Sequence, residues 1–572
     1  MRILLYSSAF NSLTQRAAAE LTYAGHDLAV ALDLGGGEAG ATELRAAVER
    51  HRPELVIAPM LTTGIPEDVW SERICLIVHP GPPGDRGPSS LDWALSQKAD
   101  TWGVTALQAV ATMDAGPVWA WEPFDVPEGI SKGALYRGEV TDAAMAALLR
   151  AVDRVASGQA PSDPPPGSTR PYYQQHLRAI DWSRDSAASI SCALLTADSS
   201  PGVVDEIEGS DYFLYGGQIE DELTGEPGVL VATRDGAVCR ATADGAAVWL
   251  TSVRPRRLPG QPPTAKAPAA TALAHLLGGV PEVPAELVLE EGRQTCTVVR
   301  YREHGPVGHL LLEPPAGALS ADHCRRLLDA LAFAAARPTR VLVLDHGRAM
   351  ATGIHLGAIQ AAEDPAAATW ETIQAIDDVA EAILDMKDKV TVAALGAGGA
   401  AGGLMLALTC DEVWVRSGSV LDPHYRTLGL YGSELWTLTL PQRVGHATAE
   451  RLTSEALPIS ADHAFDLGLV DRVVDATPVT FPRQVLEEAE ALALEPDFEE
   501  RLRDKHAAAP TSEQIAGHRE AELAQMHRCI YGAGKSYHDL REEFMFKTRP
   551  TTTPARLSDL PAVRPRPPAM RP

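Results

Sequence analysis

The chain has 572 residues, which is too long for a single hydrophobic core. This length predicts about three to four domains. Apolar residues make up 45% and charged residues 22%, which is typical of folded globular proteins and excludes disorder throughout. The 50 Lys and Arg residues stand against 76 Asp and Glu residues, and a net charge of −26 repels a phosphate backbone, so no nucleic-acid partner is expected.

The sequence carries none of the usual signals for a membrane, a secretory route or a metal. Apolar runs stay shorter than the roughly 18 residues that a transmembrane helix needs. Residues 1–6 meet polar residues too early for a signal peptide and predict a first strand. The seven cysteines form no Cys-x-x-Cys pair and the 17 histidines show no metal-ligand spacing, so we expect neither disulfides nor a metal site. We expect a cytoplasmic protein without a membrane partner.

Proline-rich segments divide the chain into predicted domains. Residues 156–171 and 254–268 lack apolar periodicity and are predicted linkers, and the segment from Arg549 is predicted to be an extended or disordered tail. The predicted domains are residues 1–155, 172–255 and 285–480, followed by a helical C-terminal region at 481–548 and a proline-rich tail at 549–572.

The first domain alternates strands and helices, which predicts an open, mostly parallel sheet with ligand sites at the carboxyl ends of its strands. Helices are predicted at 15–21 and 42–50. The predicted strands are residues 3–6, 28–32, 55–58, 75–78 and 104–110.

The second domain is short and β-rich, with predicted strands at 229–233 and 247–251 and turns at Gly236 and Gly245. The third domain is α/β again. Its predicted elements are strands at 341–344 and 390–395, an amphipathic helix around Ile376, a helix at 404–409 and a largely helical stretch at 484–547. The predicted fold class is therefore a multidomain α/β protein with a small β-rich middle domain.

A histidine and an aspartate follow two of the predicted strands of the first domain. His79 comes after the strand at 75–78, and Asp114 comes after the strand at 104–110. Both lie at the carboxyl edge of the predicted sheet, where they could move protons during acyl transfer. On spacing alone, the pair could also be a loop histidine and a turn aspartate without chemistry.

The segments HPGPPGDRG (79–87) and MDAGPV (113–118) resemble the active-site segments of the formyltetrahydrofolate-dependent formyltransferases, a family that includes glycinamide ribonucleotide and methionyl-tRNA formyltransferases. The resemblance implies 10-formyltetrahydrofolate as formyl donor and His79 and Asp114 as catalytic residues. The family's catalytic Asn falls on Ile77, which cannot polarise a formyl oxygen, so a backbone N–H or a nearby side chain would supply that donor.

The same resemblance implies substrate contacts and a place for the second domain. Pro59, Leu61 and Gly81 are assigned to substrate binding. Residues 172–255 stand where methionyl-tRNA formyltransferases carry a small β-barrel-like domain. The acidic charge of the chain argues against tRNA as the acceptor.

A glycine-rich turn at 396–403 follows the strand at 390–395. It lacks the Gly-Lys-Ser/Thr ending of a phosphate loop, and no acidic residue completes a dinucleotide site. Taken alone, such a turn also serves close packing of a strand against a helix, which only glycine permits.

Residues 389–412 resemble the crotonase, or enoyl-CoA hydratase/isomerase, superfamily. The resemblance implies coenzyme A thioester chemistry, with the backbone N–H groups of Ile354 and Gly402 as the oxyanion hole. His355 replaces the usual aspartate after the first oxyanion residue and is assigned to substrate binding. The superfamily's acid/base glutamates fall on Met405 and Tyr425, so the addition of water to an enoyl-CoA is not predicted.

A polar stretch at 422–436 offers other groups for proton transfer. Tyr425 and Glu434 are the predicted catalytic pair, and the sequence leaves open which of them is the base. The alternative is that Tyr425 is a half-buried aromatic residue and Glu434 an exposed carboxylate at a helix start.

A formyltransferase-like half fused to a crotonase-like half resembles the hydrogenase maturation factors called HypX or HoxX. The segments that carry this resemblance are 9–16, 79–95, 200–203, 213–217, 353–356 and 423–437. It implies formyl transfer from 10-formyltetrahydrofolate to coenzyme A, decarbonylation of formyl-CoA to carbon monoxide for the iron of a [NiFe]-hydrogenase, and partners among hydrogenase maturation proteins. Two alternatives remain open: an amine N-formyltransferase with a non-catalytic, CoA-binding crotonase-like half, and a non-catalytic assembly factor that binds CoA or folate.

Overall fold

The computed structural model describes residues 1–534 and 536–563, which form two compact units. The first unit contains Met1–Leu177, Pro458–Asp466 and the described residues from Arg549 onwards, and the second contains Arg178–Leu457 and Leu467–Thr548. Within the described part of the chain, every helix is too short or too polar to cross a membrane.

The first unit is built on an open six-stranded sheet. Four strands run parallel, and the last two strands are antiparallel to their neighbours. Nearly all residues of the first four strands are buried, because helices cover the apolar side chains that alternate between the two faces. The spatial order is Asp27–Leu32, Arg2–Ser7, Leu55–Ala58, Cys75–His79, Thr101–Gln108 and Val118–Asp125. The helices are Ser12–Tyr23, Gly37–His51, Glu67–Trp70, Ser90–Ser96, Lys132–Leu135, Thr141–Ala156 and Ala461–Asp466, with a π-turn at Tyr136–Val140.

The predicted linker at 156–171 is an ordered part of the first unit. Ser168–Thr169 pairs in parallel with Asp85–Arg86. A methyl group on Gly167 would overlap the carbonyl oxygen of Gly84, so the linker packs directly on the loop that follows His79. The linker therefore contributes backbone to this edge of the sheet, which its composition did not reveal.

The proline-rich tail also departs from the prediction. Within residues 549–563, Leu557 and Leu560 are buried, and a short 3-10 helix spans Ala555–Leu557. The Leu560 N–H donates to the carbonyl oxygen of Leu28, so this segment covers the edge strand Asp27–Leu32. The rest of the predicted tail, residues 564–572, lies outside the described residues.

The middle domain is an open antiparallel sheet, and the expected barrel-like closure is wrong. Its edge strands Leu230–Arg234 and Val203–Ile207 do not pair with each other. The apolar face is covered instead by the helix Ala187–Ala197, whose Ile190 and Leu194 belong to the core. The order is Leu230–Arg234, Ala237–Ala241, Ala247–Pro255, Ser210–Glu220 and Val203–Ile207, with Ala267–Pro268 paired to Ala247–Pro255 and a short helix at Ala269–Ala272.

The third sheet belongs to the same unit as the middle sheet. Its first strand pair is antiparallel and the remaining pairs are parallel. The order is Val299–His304, Val307–Leu312, Val341–Asp345, Val390–Leu395, Glu412–Arg416 and Arg472–Val474. Two short parallel pairs accompany it, Ala318–Leu319 with Gly353–Ile354 and Gly399–Ala400 with Val420–Asp422. The helices are Ala321–Ala335, Leu356–Ala361, Pro365–Leu384, Ala401–Ala407, Trp436–Val444, His446–Glu455, Phe481–Ala493, Phe498–Ala508, Ser512–Tyr531 and Ser536–Met545.

A turn of the middle sheet joins it to the third domain. Asp235 and Gly236 have φ angles of 48° and 83° and connect Leu230–Arg234 to Ala237–Ala241. The Asp235 carboxylate accepts from Arg326 Nε at 3.0 Å, and its carbonyl oxygen lies 3.2 Å from His323 Nε2. These contacts lie within the second unit, which contains residues 178–255 of the predicted middle domain and most of the predicted domain at 285–480.

The docked tail makes a stability prediction. Leu557→Ala should lower the free energy of unfolding of the first unit by about 2–4 kcal/mol, because it removes a buried side chain and leaves a cavity. Urea denaturation measures the change in the free energy of unfolding, and hydrogen exchange of the backbone amides in the strand Asp27–Leu32 shows whether the loss lies at this edge of the sheet. Leu177→Ala, at a 46% exposed position of the same unit, is the control and should change little. Equal stability of the two variants would contradict a structural role for the tail.

Candidate active sites

In the first centre, each ring nitrogen of His79 faces a carboxylate. His79 ends the strand Cys75–His79, is only 5% exposed, and lies with Nδ1 3.6 Å from Asp114 Oδ2. On the other side of the ring, Nε2 lies 3.0 Å from Asp85 Oδ2. The structure thus brings the predicted pair His79 and Asp114 together and adds Asp85, which the sequence analysis did not select although it lies within the quoted segment 79–87.

Asp85 is held by several groups. Ser90 Oγ donates to Asp85 Oδ2 at 2.7 Å, and Arg170 Nε lies 3.2 Å from Oδ1. The Arg170 guanidinium also lies 5.3 Å from the centroid of the Trp102 ring. Arg170 comes from the predicted linker, and no motif in the sequence pointed to it.

Gly81 and Asp114 depend on their local backbone. A methyl group on Gly81 would overlap both Asp85 Oδ2 and His79 Nε2, so glycine is needed for the loop to pass these groups. Asp114 has a φ of 53°, a left-handed conformation that Asp tolerates better than most residues, and its Oδ2 accepts from the Gly87 N–H at 3.1 Å.

The other predicted residues of this centre lie at the same edge of the sheet. Pro59 and Leu61 follow the strand Leu55–Ala58, which pairs in parallel with Cys75–His79. Ile77 is two residues before His79 and shares its face of the sheet, where it packs against an apolar cluster that includes Val56. Ile77 has no polar atom in its side chain, and the substitute for the family's Asn stays a prediction.

In the second centre, glycines bring two backbone segments into close contact. Gly353 has a φ of 92°, and a methyl group there would lie 3.1 Å from both N and Cα of Gly402. Ile354 follows Gly353 in the short strand paired with Ala318–Leu319. Gly402 is the second residue of the helix Ala401–Ala407, so its N–H has no partner within that helix. The two predicted oxyanion donors therefore lie on adjoining backbone segments.

The Glu434 carboxylate lies against Gly402. A methyl group on Gly402 would overlap Glu434 Oε1, whereas Glu434 Oε2 accepts from the Tyr425 hydroxyl at 2.6 Å. Both side chains are buried, and the helix Trp436–Val444 begins two residues after Glu434. The alternative of an exposed helix-start glutamate is wrong, because Glu434 is only 2% exposed.

Burial changes the acidity of this pair. Burial, followed by the charge of Asp377, raises the pKa of Glu434 to about 7. Burial, followed by the charge of Glu434, raises the pKa of Tyr425 well above its ordinary value. Near neutral pH, Glu434 can therefore take up and release a proton, whereas Tyr425 stays a hydrogen-bond donor.

Two further carboxylates hold the backbone next to Glu434. Asp377 Oδ1 accepts from the Glu434 N–H at 2.7 Å, and Glu522 Oε2 accepts from the Leu435 N–H at 3.0 Å. Both carboxylates are fully buried, and burial raises the pKa of Asp377 to about 6 and that of Glu522 to about 8. The sequence analysis missed them, although a signal existed, because each occupies a position on the apolar stripe of its helix.

His355 caps a helix rather than standing free. Its Nδ1 accepts from the Ala358 N–H at 2.9 Å at the start of the helix Leu356–Ala361. Burial, followed by the charge of His323, lowers the pKa of His355 to about 4, so the ring is neutral at physiological pH. The Nδ1 acceptor is used within the protein, and the substrate contact assigned to His355 stays a prediction.

Comparisons with known proteins cover both halves of the chain. A family model described as enoyl-CoA hydratase/isomerase matches residues 306–542. Hydrogenase maturation factor HoxX of Bradyrhizobium diazoefficiens is 40% identical over 566 residues, which are 97% of this chain and 96% of that protein. The crystal structure of HypX from Aquifex aeolicus in complex with tetrahydrofolic acid shows 38% identity and a TM-score of 0.92, over 97% of this chain and 98% of that chain. Human mitochondrial 10-formyltetrahydrofolate dehydrogenase is 30% identical over 193 residues, which are 32% of this chain and 21% of that protein.

These likenesses confirm the predicted multidomain α/β fold and its crotonase-like C-terminal part. The likeness to HoxX of Bradyrhizobium diazoefficiens spans 97% of this chain, so it includes both halves. The chain therefore belongs to the HypX/HoxX family of hydrogenase maturation factors.

Proposed function

We propose that the protein makes carbon monoxide in two steps. The first centre transfers a formyl group from 10-formyltetrahydrofolate to coenzyme A, and the second centre converts formyl-CoA into carbon monoxide and free coenzyme A. Family membership supports a role in hydrogenase maturation, where the carbon monoxide would become a ligand of the [NiFe]-hydrogenase iron. The observation that carries the proposal is the buried Tyr425–Glu434 pair set against Gly402.

His79 is the proposed acid/base of the first step. The coenzyme A sulfur attacks the formyl carbon, the bond from that carbon to the folate nitrogen breaks, and the thiol proton passes to that nitrogen. His79 lies where a proton can be moved, and Asp85 and Asp114 orient its two ring nitrogens. The tetrahydrofolic acid bound to HypX of Aquifex aeolicus supports folate as the carrier.

Glu434 is the proposed base of the second step. Its carboxylate takes the formyl proton, the carbon–sulfur bond breaks with its electron pair going to sulfur, and the sulfur is protonated as coenzyme A leaves. Hydrogen thus moves from carbon to sulfur, and carbon monoxide is released. The Ile354 and Gly402 N–H groups would hold the thioester oxygen, and Tyr425 would donate to Glu434 and keep it in place.

The direct test is to incubate the full chain with 10-formyltetrahydrofolate and coenzyme A. Tetrahydrofolate is measured by absorbance, and carbon monoxide is measured as the carbonyl complex of deoxymyoglobin. The proposal expects equal amounts of both products and a strict requirement for coenzyme A. Formylation of an added amine without a requirement for coenzyme A would instead support the amine formyltransferase alternative.

The two centres should respond separately to substitution. His79→Ala and Asp114→Asn should each slow tetrahydrofolate release by about 10²–10⁴, because a positioned acid/base contributes that much. Both variants should still release carbon monoxide from added formyl-CoA at the parental rate. His176→Gln, at an exposed position of the first unit, is the matched control. Near-parental formyl transfer in both variants would reject the assignment.

Carbon monoxide release from formyl-CoA should rise with pH around 7. The pKa of Glu434 is about 7, and only its ionised form can accept the formyl proton, so activity grows as the pH passes this value. Glu434→Gln should abolish release, and Tyr425→Phe should reduce it, while formyl transfer continues in both. A parental rate that falls as the pH rises through 7 would make Glu434 an acid in this reaction rather than the base.

Gly402 should tolerate no side chain. Gly402→Ala keeps the backbone N–H but pushes a methyl group into Glu434 Oε1, so carbon monoxide release should fall about 10²-fold through misplacement of the carboxylate. Gly517→Ala is the control, because space is open around this helical glycine. Parental release by a folded Gly402→Ala protein would show that the glycine serves packing only.

A further inference from the structure

The turn that carries Glu434 has an unfavourable backbone. Glu434 and Leu435 have φ angles of 62° and 58°, so two consecutive side-chain-bearing residues adopt the left-handed conformation. Neither residue is among those that adopt this conformation readily. Such a turn persists only where surrounding groups hold it, and strained turns of this kind concentrate at functional sites.

One group that holds the turn comes from the middle of the helix Pro365–Leu384. Asp377 is fully buried, and its Oδ1 accepts from the Glu434 N–H at 2.7 Å. Arg519 Nε lies 3.9 Å from Asp377 Oδ2, which is too long for a hydrogen bond, and the Arg519 guanidinium is bonded to Asp378 and Glu381. The Asp377 charge is therefore only partly compensated and acts on Glu434.

The second group comes from the helix Ser512–Tyr531. Glu522 is fully buried and accepts three hydrogen bonds from the residues after Glu434. Its Oε2 accepts from the Leu435 N–H at 3.0 Å, and its Oε1 accepts from the Thr437 N–H at 2.8 Å and the Thr437 hydroxyl at 2.6 Å. The same helix supplies Met526, whose sulfur accepts from the Gly432 N–H at 3.1 Å.

We propose that Asp377 and Glu522 are positioning residues of the second centre. They hold the Glu434–Leu435 turn from two helices and thereby orient the Glu434 carboxylate toward Tyr425 and Gly402. Asp377 has a second effect, because its negative charge favours the protonated form of Glu434. The inference rests on the proposed function for its kinetic readout. Other titratable and charged groups surround this turn. Asp377 and Glu381 lie on the helix Pro365–Leu384, and His518, Arg519 and Glu522 lie on the helix Ser512–Tyr531. Tyr425 lies in the same loop as Glu434, and Cys324 lies on the helix Ala321–Ala335.

Asp377→Asn tests the charge while keeping the acceptor. The Asn carbonyl oxygen can still accept from the Glu434 N–H, but the negative charge is gone, so the pKa of Glu434 should fall. The pH at half-maximal carbon monoxide release from formyl-CoA should then move down by about one unit. Asp378→Asn is the matched control, because Asp378 is the next residue along the helix, pairs with Arg519 and is half exposed. It should leave the midpoint unchanged.

Glu522 tests the geometry. Glu522→Ala removes both acceptor oxygens and all three hydrogen bonds, and it should lower kcat for carbon monoxide release about 10²-fold, while the KM for formyl-CoA changes less than about threefold. Glu522→Gln keeps the size of the side chain and one acceptor oxygen, so its kcat should lie much closer to that of the unsubstituted protein. It also provides a test if Glu522→Ala fails to fold. Glu520→Gln, at an exposed position of the same helix, should behave like the parent.

An infrared titration separates this inference from the proposed function. The protonated carboxyl band that disappears in Glu434→Gln reports the ionisation of Glu434 without any reaction. The pH at the midpoint of this titration should be lower in Asp377→Asn than in the unsubstituted protein, and it should be unchanged in Asp378→Asn. If the unsubstituted protein released no carbon monoxide, the proposed function would be refuted, but the titration would still test the effect of Asp377 on Glu434. An unshifted midpoint in folded Asp377→Asn, or parental kcat in folded Glu522→Ala, would overturn the positioning roles.

Discussion

Burial of the Glu434 carboxylate is the constraint on which the second centre depends. A carboxylate removed from water is costly unless it is neutralised or given hydrogen bonds. Here the Tyr425 hydroxyl and the Ser433 N–H donate to it, while the nearby Asp377 charge opposes its ionisation. The outcome is a side chain whose pKa of about 7 suits proton transfer at neutral pH.

The surrounding elements can be understood from this requirement. Gly402 lacks a side chain because the carboxylate occupies the space where a methyl group would lie. Glycine at 353 allows the preceding segment to approach Gly402. The helix Ser512–Tyr531 also supports this centre, because Glu522 accepts from the backbone that follows Glu434. The helical C-terminal region predicted at 481–548 thus contributes Glu522 to the second centre.

The first centre also contains buried carboxylates, and neighbouring groups hold them in place. Asp85 accepts from Ser90 and lies next to Arg170, and Asp114 accepts from a backbone N–H. The Ser90 hydroxyl and the Gly87 N–H replace part of the water that the two carboxylates lose on burial, and Asp85 Oδ1 has the ion pair with Arg170 instead of a hydrogen bond. Each carboxylate then faces one nitrogen of His79, which fixes the orientation of the ring.

The alternation of strands and helices in the first and third domains, and the candidate site residues, could be predicted from the sequence alone. Apolar runs located strands such as Arg2–Ser7, Cys75–His79 and Val390–Leu395, and local motifs located the candidate residues His79, Asp114, Gly402 and Glu434, because these signals lie within short segments. The same runs did not reveal Val118–Asp125 or Ser210–Glu220. Only the tertiary structure decided that Asp85 and Arg170 join His79, that Asp377 and Glu522 hold the turn at Glu434, and that the middle sheet stays open. The physical reason is distance along the chain: a buried carboxylate is satisfied by whichever donors the fold brings to it, and in the second centre those come from residues 57 and 87 positions away from their partners.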